Sequence, residues 1–133
     1  MQKQELQLFL EPIPAGFPSP AADYVDRNVD LNDILIKNKI STFLVRVAGD
    51  SMINSGIFPG DILIVDKSVT PSHKNIVVAI LNGEFTIKRF IKENSKIILR
   101  PENPKYKDIE ISIEDDFKIW GVVTFNIHNP NLQ

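Results

Sequence analysis

The sequence contains no cysteine and only two histidines, His73 and His128. Without thiols, disulfides, cysteine nucleophiles and thiolate zinc sites are excluded. The histidines stand far apart, and neither has a carboxylate at ligand spacing. They read as surface residues, with no metal site and no local basis for a Ser-His-Asp triad. Glycine is sparse as well: six residues, scattered, matching neither a phosphate loop nor a dinucleotide fingerprint, so no cofactor is expected. No apolar run approaches the roughly 18 residues that cross a bilayer. Met1-Gln2-Lys3-Gln4-Glu5, followed by an apolar stretch from Leu6 to Leu10 that Gln7 interrupts, is not a signal peptide. The expected location is therefore the cytoplasm, without membrane contact. The net charge is only −2. That argues against direct sequence-specific DNA binding, because such domains carry a basic footprint.

What is present suits one domain with a short appendage: 133 residues, of which 43% are hydrophobic, enough for a core. Residues 1–20 hold Pro12, Pro14, Pro18 and Pro20, four of the nine prolines. Proline lacks an N–H and restricts its predecessor, so this stretch reads as a flexible, extended arm preceding a single domain over residues 21–133. Asp30 to Lys37 reads as a short helix, with Asp30 as its cap and Leu31, Ile34 and Leu35 on one face. From Ser41 onward the pattern turns to β. Thr42–Ala48 alternates, while Ile62–Val65 and Ile76–Leu81 are short β-branched apolar runs. Asn82-Gly83 is a strong hairpin signal, joining Ile76–Leu81 to a partner strand over Glu84–Lys92. Ile97–Arg100, Ile109–Ile113 and Phe117–Phe125 complete the set. The predicted class is mainly β: twisted, partly closed sheets, one or two short helices and an extended N-terminal arm.

Three segments carry chemistry. Ala48-Gly49-Asp50-Ser51-Met52 follows a strand, where a serine can project its hydroxyl while the adjacent backbone N–H groups form an oxyanion site. An ordinary turn is the competing reading. In Glu84–Lys92, period 2 places Thr86, Lys88 and Phe90 on one face. Lys88 can be a solvated edge lysine, as Lys92 can. Alternatively, apolar surroundings desolvate its ammonium, lower its pKa and make it a base for a serine hydroxyl. Finally, Ala15-Gly16 places two small residues on either side of a peptide bond in the arm. Extended chain is the form that adds to a sheet edge. The 35 positions from Gly16 to Ser51 reach about 100 Å when extended, which permits cutting within one chain or between two.

These segments, in this order, resemble the LexA/UmuD family of self-processing Ser-Lys proteases. Ala15-Gly16-Phe17-Pro18-Ser19-Pro20-Ala21-Ala22-Asp23-Tyr24-Val25 is similar to the family's cleavage region, and Gly49-Asp50-Ser51-Met52 to its nucleophile segment. Gly60–Asp66 and Gly83–Lys88 resemble the strands that follow. The resemblance implies the fold of the LexA and signal-peptidase-like catalytic domain. It implies Ser51 as nucleophile, Lys88 as general base, the N–H groups of Asp50 and Ser51 as oxyanion donors, and Ala15-Gly16 as the scissile bond. It also implies a homodimer, cleavage stimulated by a RecA–single-stranded-DNA filament, and a shortened form that joins a UmuC-type DNA polymerase in the SOS response. The chain departs from the UmuD pattern at Ala15, where cysteine is common and Ala-Gly is instead LexA-like, and in the tail Thr124–Gln133.

Three other readings compete with this one. A LexA-type repressor needs a DNA-binding module before the cleavage site, and 15 residues precede Gly16. A leader peptidase needs a membrane anchor. An inert β interaction module, its serine and lysine incidental, is open at this level.

Overall fold

The structure is a computed structural model that describes residues 4–9, 12–18, 20–21 and 26–132. Met1–Lys3, Leu10, Glu11, Ser19, Ala22–Val25 and Gln133, parts of the N-terminal, arm and tail segments above, lie outside the described residues. The chain divides into two compact units, Met1–Lys37 and Asn38–Gln133.

In the first unit, β1 (Glu5–Phe9) pairs antiparallel with β2 (Asp26–Asp30), in register from Glu5↔Asp30 to Phe9↔Asp26. Glu5-Leu6-Gln7-Leu8 alternates polar and apolar residues, so Gln7 belongs to a strand pattern. Ala15 and Gly16 lie in an exposed bend, where a Cβ built on Gly16 would meet nothing within 4 Å. The helix α1 (Leu31–Leu35) begins where the sequence indicated: the Asp30 carboxylate accepts the Asn32 N–H at 2.9 Å. It stops short of Lys37 because Ile36 is extended, its N–H closing the last turn onto Asn32 O at 2.9 Å.

The second unit is a seven-stranded sheet. Its strands are β3 (Thr42–Arg46), β4 (Ile62–Asp66), β5 (Ile76–Leu81), β6 (Glu84–Glu93), β7 (Lys96–Arg100), β8 (Ile109–Glu110) and β9 (Phe117–Ile127). The order is β3-β4-β9-β5-β6-β7-β8, every neighbour is antiparallel, and the sheet does not close into a barrel. Asn82 and Gly83, at φ of 50° and 84°, form the tight turn between β5 and β6, with Leu81 opposite Glu84. Residues 111–113 fall outside β8, although Ile111 N still donates to Ile97 O at 2.9 Å.

Both faces of the central strands are covered, so β5 reads as a continuous apolar run. Val78 joins Val47, Met52, Ile57, Leu63 and Val65 in one core, while Val77 and Ala79 join Phe90, Leu99 and Val122 in another. A bulge in β9 shapes the first face. Val78 pairs with Gly121 and Ala79 with Ile119, leaving Trp120 as the extra residue. Trp120 therefore packs with the Met52 core, although plain alternation would place it with Val122. Gly121 beside it allows a close approach: a Cβ there would lie 2.5 Å from Val65 Cγ1.

Candidate active site

The segment after β3 is pinned at both ends. Val47 N donates to Asp61 O at 2.8 Å, Gly60 N donates to Val47 O at 2.9 Å, and Met52 is only 2% exposed within the first core. Between these anchors Gly49 turns the chain at φ 86°, a conformation that favours glycine. Ser51 is thereby held, half-buried, at the mouth of a turn ahead of the short 3-10 segment Ile53–Ser55.

Lys88 comes from β6, opposite Val77 of β5. Its Nζ lies 3.1 Å from Ser51 Oγ, 2.7 Å from Thr86 Oγ1 and 3.1 Å from Ile87 O. Three acceptors match the three N–H bonds of an ammonium. In the neutral amine one hydrogen is gone, and a lone pair faces a hydroxyl that can donate to it. Burial pushes the Lys88 pKa below the ordinary lysine value. Among the described residues no carboxylate pairs with it.

The carboxylate beside Ser51 in sequence, Asp50, is engaged elsewhere: Tyr106 Oη donates to Oδ1 at 2.5 Å and Lys105 Nζ lies 3.8 Å from Oδ2. The Tyr106 hydrogen bond, helped by the Lys105 charge, holds the Asp50 pKa below the usual carboxylate range. Among the described residues no protein group accepts the backbone N–H of Ser51, whereas the Asp50 N–H helps stabilise its own carboxylate.

Ser51 and Lys88 share the wall of a groove of about 460 Å³ lined chiefly by Val45, Met52, Phe85, Ile87 and Trp120. Trp120 meets Phe43 at 5.4 Å and Phe85 edge-on at 6.0 Å. The strand β3 beside it ends the sheet, and its outer edge pairs with no strand among the described residues. An apolar groove along an unpaired strand edge suits an extended peptide, whose backbone such an edge can hydrogen-bond.

The structure thus brings together Ser51 and Lys88, 37 positions apart in sequence. Ala15 and Gly16 belong to the first unit. Both histidines have protein partners: His73 Nδ1 accepts the Lys92 N–H at 3.0 Å, and His128 Nδ1 lies 2.5 Å from Oδ1 of the buried Asp61. No three metal-ligating side chains gather among the described residues, nor is any helix there long and apolar enough to cross a membrane. Sequence reasoning missed the loop Pro101–Tyr106, which bonds to Asp50 and Ser51. Its two prolines mark a turn but carry no signal for that role.

Comparison with known proteins gives a consistent picture. A family model described as Peptidase S24-like matches residues 7–124. Protein SamA of Salmonella typhimurium is 46% identical over 121 residues, covering 91% of this chain and 84% of that protein. Protein MucA of Escherichia coli is 38% identical over 129 residues, covering 92% and 84%. LexA repressor 1 of Geobacter sulfurreducens is 38% identical over 117 residues, covering 87% of this chain and 57% of the repressor.

Proposed function

Because the chain belongs to the peptidase S24-like family, we propose that it is a self-cleaving serine peptidase of the UmuD type, cutting its own Ala15-Gly16 bond with Ser51 and Lys88. The observation that carries this reading is the 3.1 Å separation of Lys88 Nζ and Ser51 Oγ, with Lys88 desolvated and, among the described residues, without an acidic partner.

The neutral Lys88 amine takes the Ser51 hydroxyl proton as Oγ bonds to the Ala15 carbonyl carbon. The oxyanion that forms is received by the Ser51 N–H and, with it, the Asp50 N–H. Collapse breaks the Ala15–Gly16 bond, and the Lys88 ammonium returns its proton to the departing Gly16 amine. Water, deprotonated by Lys88, then attacks the Ala15–Ser51 ester. Ser51 leaves with a proton, and a chain beginning at Gly16 is freed. The groove takes the arm as an extended strand, and small residues at 15 and 16 let the carbonyl come close to Oγ.

The LexA/UmuD resemblance supplies the setting. In this reading the chain works in the cytoplasm as a homodimer, and a RecA–single-stranded-DNA filament stimulates cleavage. The shortened form is then an accessory subunit of a UmuC-type polymerase in the SOS response.

The test is an intact-mass measurement on the purified chain after mild alkaline incubation, and again with RecA filaments. A species starting at Gly16, absent in Ser51→Ala, is expected. An intact parent chain under both conditions would contradict the proposal.

A further inference from the structure

β3 and β6 are not neighbours: β4, β9 and β5 lie between them. No strand ladder therefore sets the distance from the Ser51 turn to Lys88, although a misplacement of about 1 Å at a reacting centre can cost about a hundredfold in rate. Beyond the anchors at Val47 and Met52, a direct tie between the two comes from the loop after β7. Glu102 N donates to Ser51 O at 2.7 Å, and Asn54 N donates back to Glu102 O at 2.8 Å. Asn103 Nδ2 donates to Asp50 O at 2.9 Å, while its Oδ1 accepts the Lys105 N–H at 3.1 Å. Asn103 is only 6% exposed, and leaving a buried amide unpaired is costly, so its two bonds fix its orientation. The Glu102 carboxylate pairs with Arg89 Nε at 2.5 Å, and Arg89 in turn donates to Lys74 O at 2.7 Å.

Arg89 is the residue after Lys88. The path Lys88–Arg89–Glu102–Ser51 and back to Lys88 is a closed ring, and sliding the serine turn along β6 breaks one of its bonds. Peptide geometry adds direction. Asp50 C=O and Ser51 N–H belong to one trans peptide and so point opposite ways. By drawing the Asp50 carbonyl toward itself, Asn103 turns the Ser51 N–H away from the loop and leaves it available to a forming oxyanion.

We propose that Asn103, Glu102 and Arg89 are positioning residues, which hold the Ser51 turn at bonding distance from Lys88 and aim the Ser51 N–H. This inference rests on the Ser51/Lys88 reading.

The test uses the full chain, with unstimulated cleavage followed by intact mass across a pH series. Ser51 labelling by a small fluorophosphonate and thermal unfolding by circular dichroism accompany it. Asn103→Ala should cleave about a hundredfold more slowly at every pH. It should lose labelling in parallel, keep the parent's pH midpoint and unfold cooperatively above the assay temperature. Glu102→Ala removes only a half-exposed side chain, so it keeps the test open if Asn103→Ala does not fold. It should slow cleavage about tenfold, with Glu102→Gln closer to the parent because its amide oxygen still accepts from Arg89. Rates within about twofold of the parent in either folded alanine variant would overturn the proposal. Slowing that merely tracks the unfolded fraction would overturn it too. A parent that neither cleaves nor labels sinks the Ser51/Lys88 reading itself, before any variant is made.

Discussion

Thr86 Oγ1 accepts a 2.7 Å hydrogen bond from Lys88 Nζ, two residues along the same strand. The hydroxyl steadies the ammonium on one side while Ser51 meets it on the other. Replacing Thr86 with valine keeps the shape and removes that acceptor. The charged form loses a partner, so the Lys88 pKa falls further. Unstimulated cleavage by Thr86→Val should therefore reach its half-maximal rate at lower pH than the parent, with a lower plateau because the amine is less well aimed. A midpoint moved to higher pH would show that Thr86 does not favour the ammonium.

In the parent chain, cleavage should accelerate from neutral to alkaline pH as the Lys88 ammonium loses its proton, since only the free amine accepts one from Ser51. The rise should level off below 10.5, the ordinary lysine value. A rate flat or falling over that range would be incompatible with a lysine base.

The same buried amine makes a stability prediction. Between its lowered folded pKa and the ordinary value of 10.5, the unfolded chain holds a proton that the folded chain has released. Stability therefore rises with pH across that window, and the desolvation penalty is fully present below it. Lys88→Met, which carries no charge to desolvate, should unfold at a higher temperature than the parent at neutral pH. The gap should close as pH climbs past the window, and a gap that widens would reverse the sign of the argument.

Gly16 is exposed with open space at its Cβ position, so Gly16→Trp should leave the fold intact. It should nevertheless block cutting, because a large side chain next to the scissile carbonyl obstructs Ser51. Fluorophosphonate labelling of Ser51 should persist in this variant. Loss of labelling would place the defect in the active site instead of the substrate.

Gly121→Ala tests the bulge in β9. Its new methyl would sit 2.5 Å from Val65 Cγ1 and 3.4 Å from Asp66 O. Overpacking of this kind costs about 1–3 kcal/mol, read as a lower urea midpoint with an unchanged slope. An unchanged midpoint would mean that β4 and β9 separate without strain.

The sequence was most legible where its rules are local. Alternation and β-branched runs located Ile62–Asp66, Ile76–Leu81 and Phe117–Ile127 to within a residue or two, and Asn82-Gly83 marked its turn because both φ angles must be positive. Legibility ended where one residue depends on another far along the chain. The β1–β2 pairing was missed because the nearby prolines pointed to extended chain, masking the alternation of Glu5–Leu8. The contact of His128 Nδ1 with the Asp61 carboxylate, 67 positions apart, left no pattern in sequence. Thr86 was placed on the Lys88 face by period 2, yet alternation does not say that the two side chains touch.

Taken by itself, the sequence determined a mainly β chain with a serine in a glycine-flanked turn, a lysine on the second strand of a hairpin and a small-residue bond in a proline-rich arm. Each of these depends on neighbours within a few residues, through backbone sterics and the two-residue period of a strand. Only the tertiary structure decided that Lys88 Nζ stands 3.1 Å from Ser51 Oγ, that Trp120 lines their groove, and that Asn103 and Glu102 grip the serine turn. Those outcomes depend on strand order, a bulge and a loop closing across the sheet, where distant residues meet and no local propensity fixes the partner.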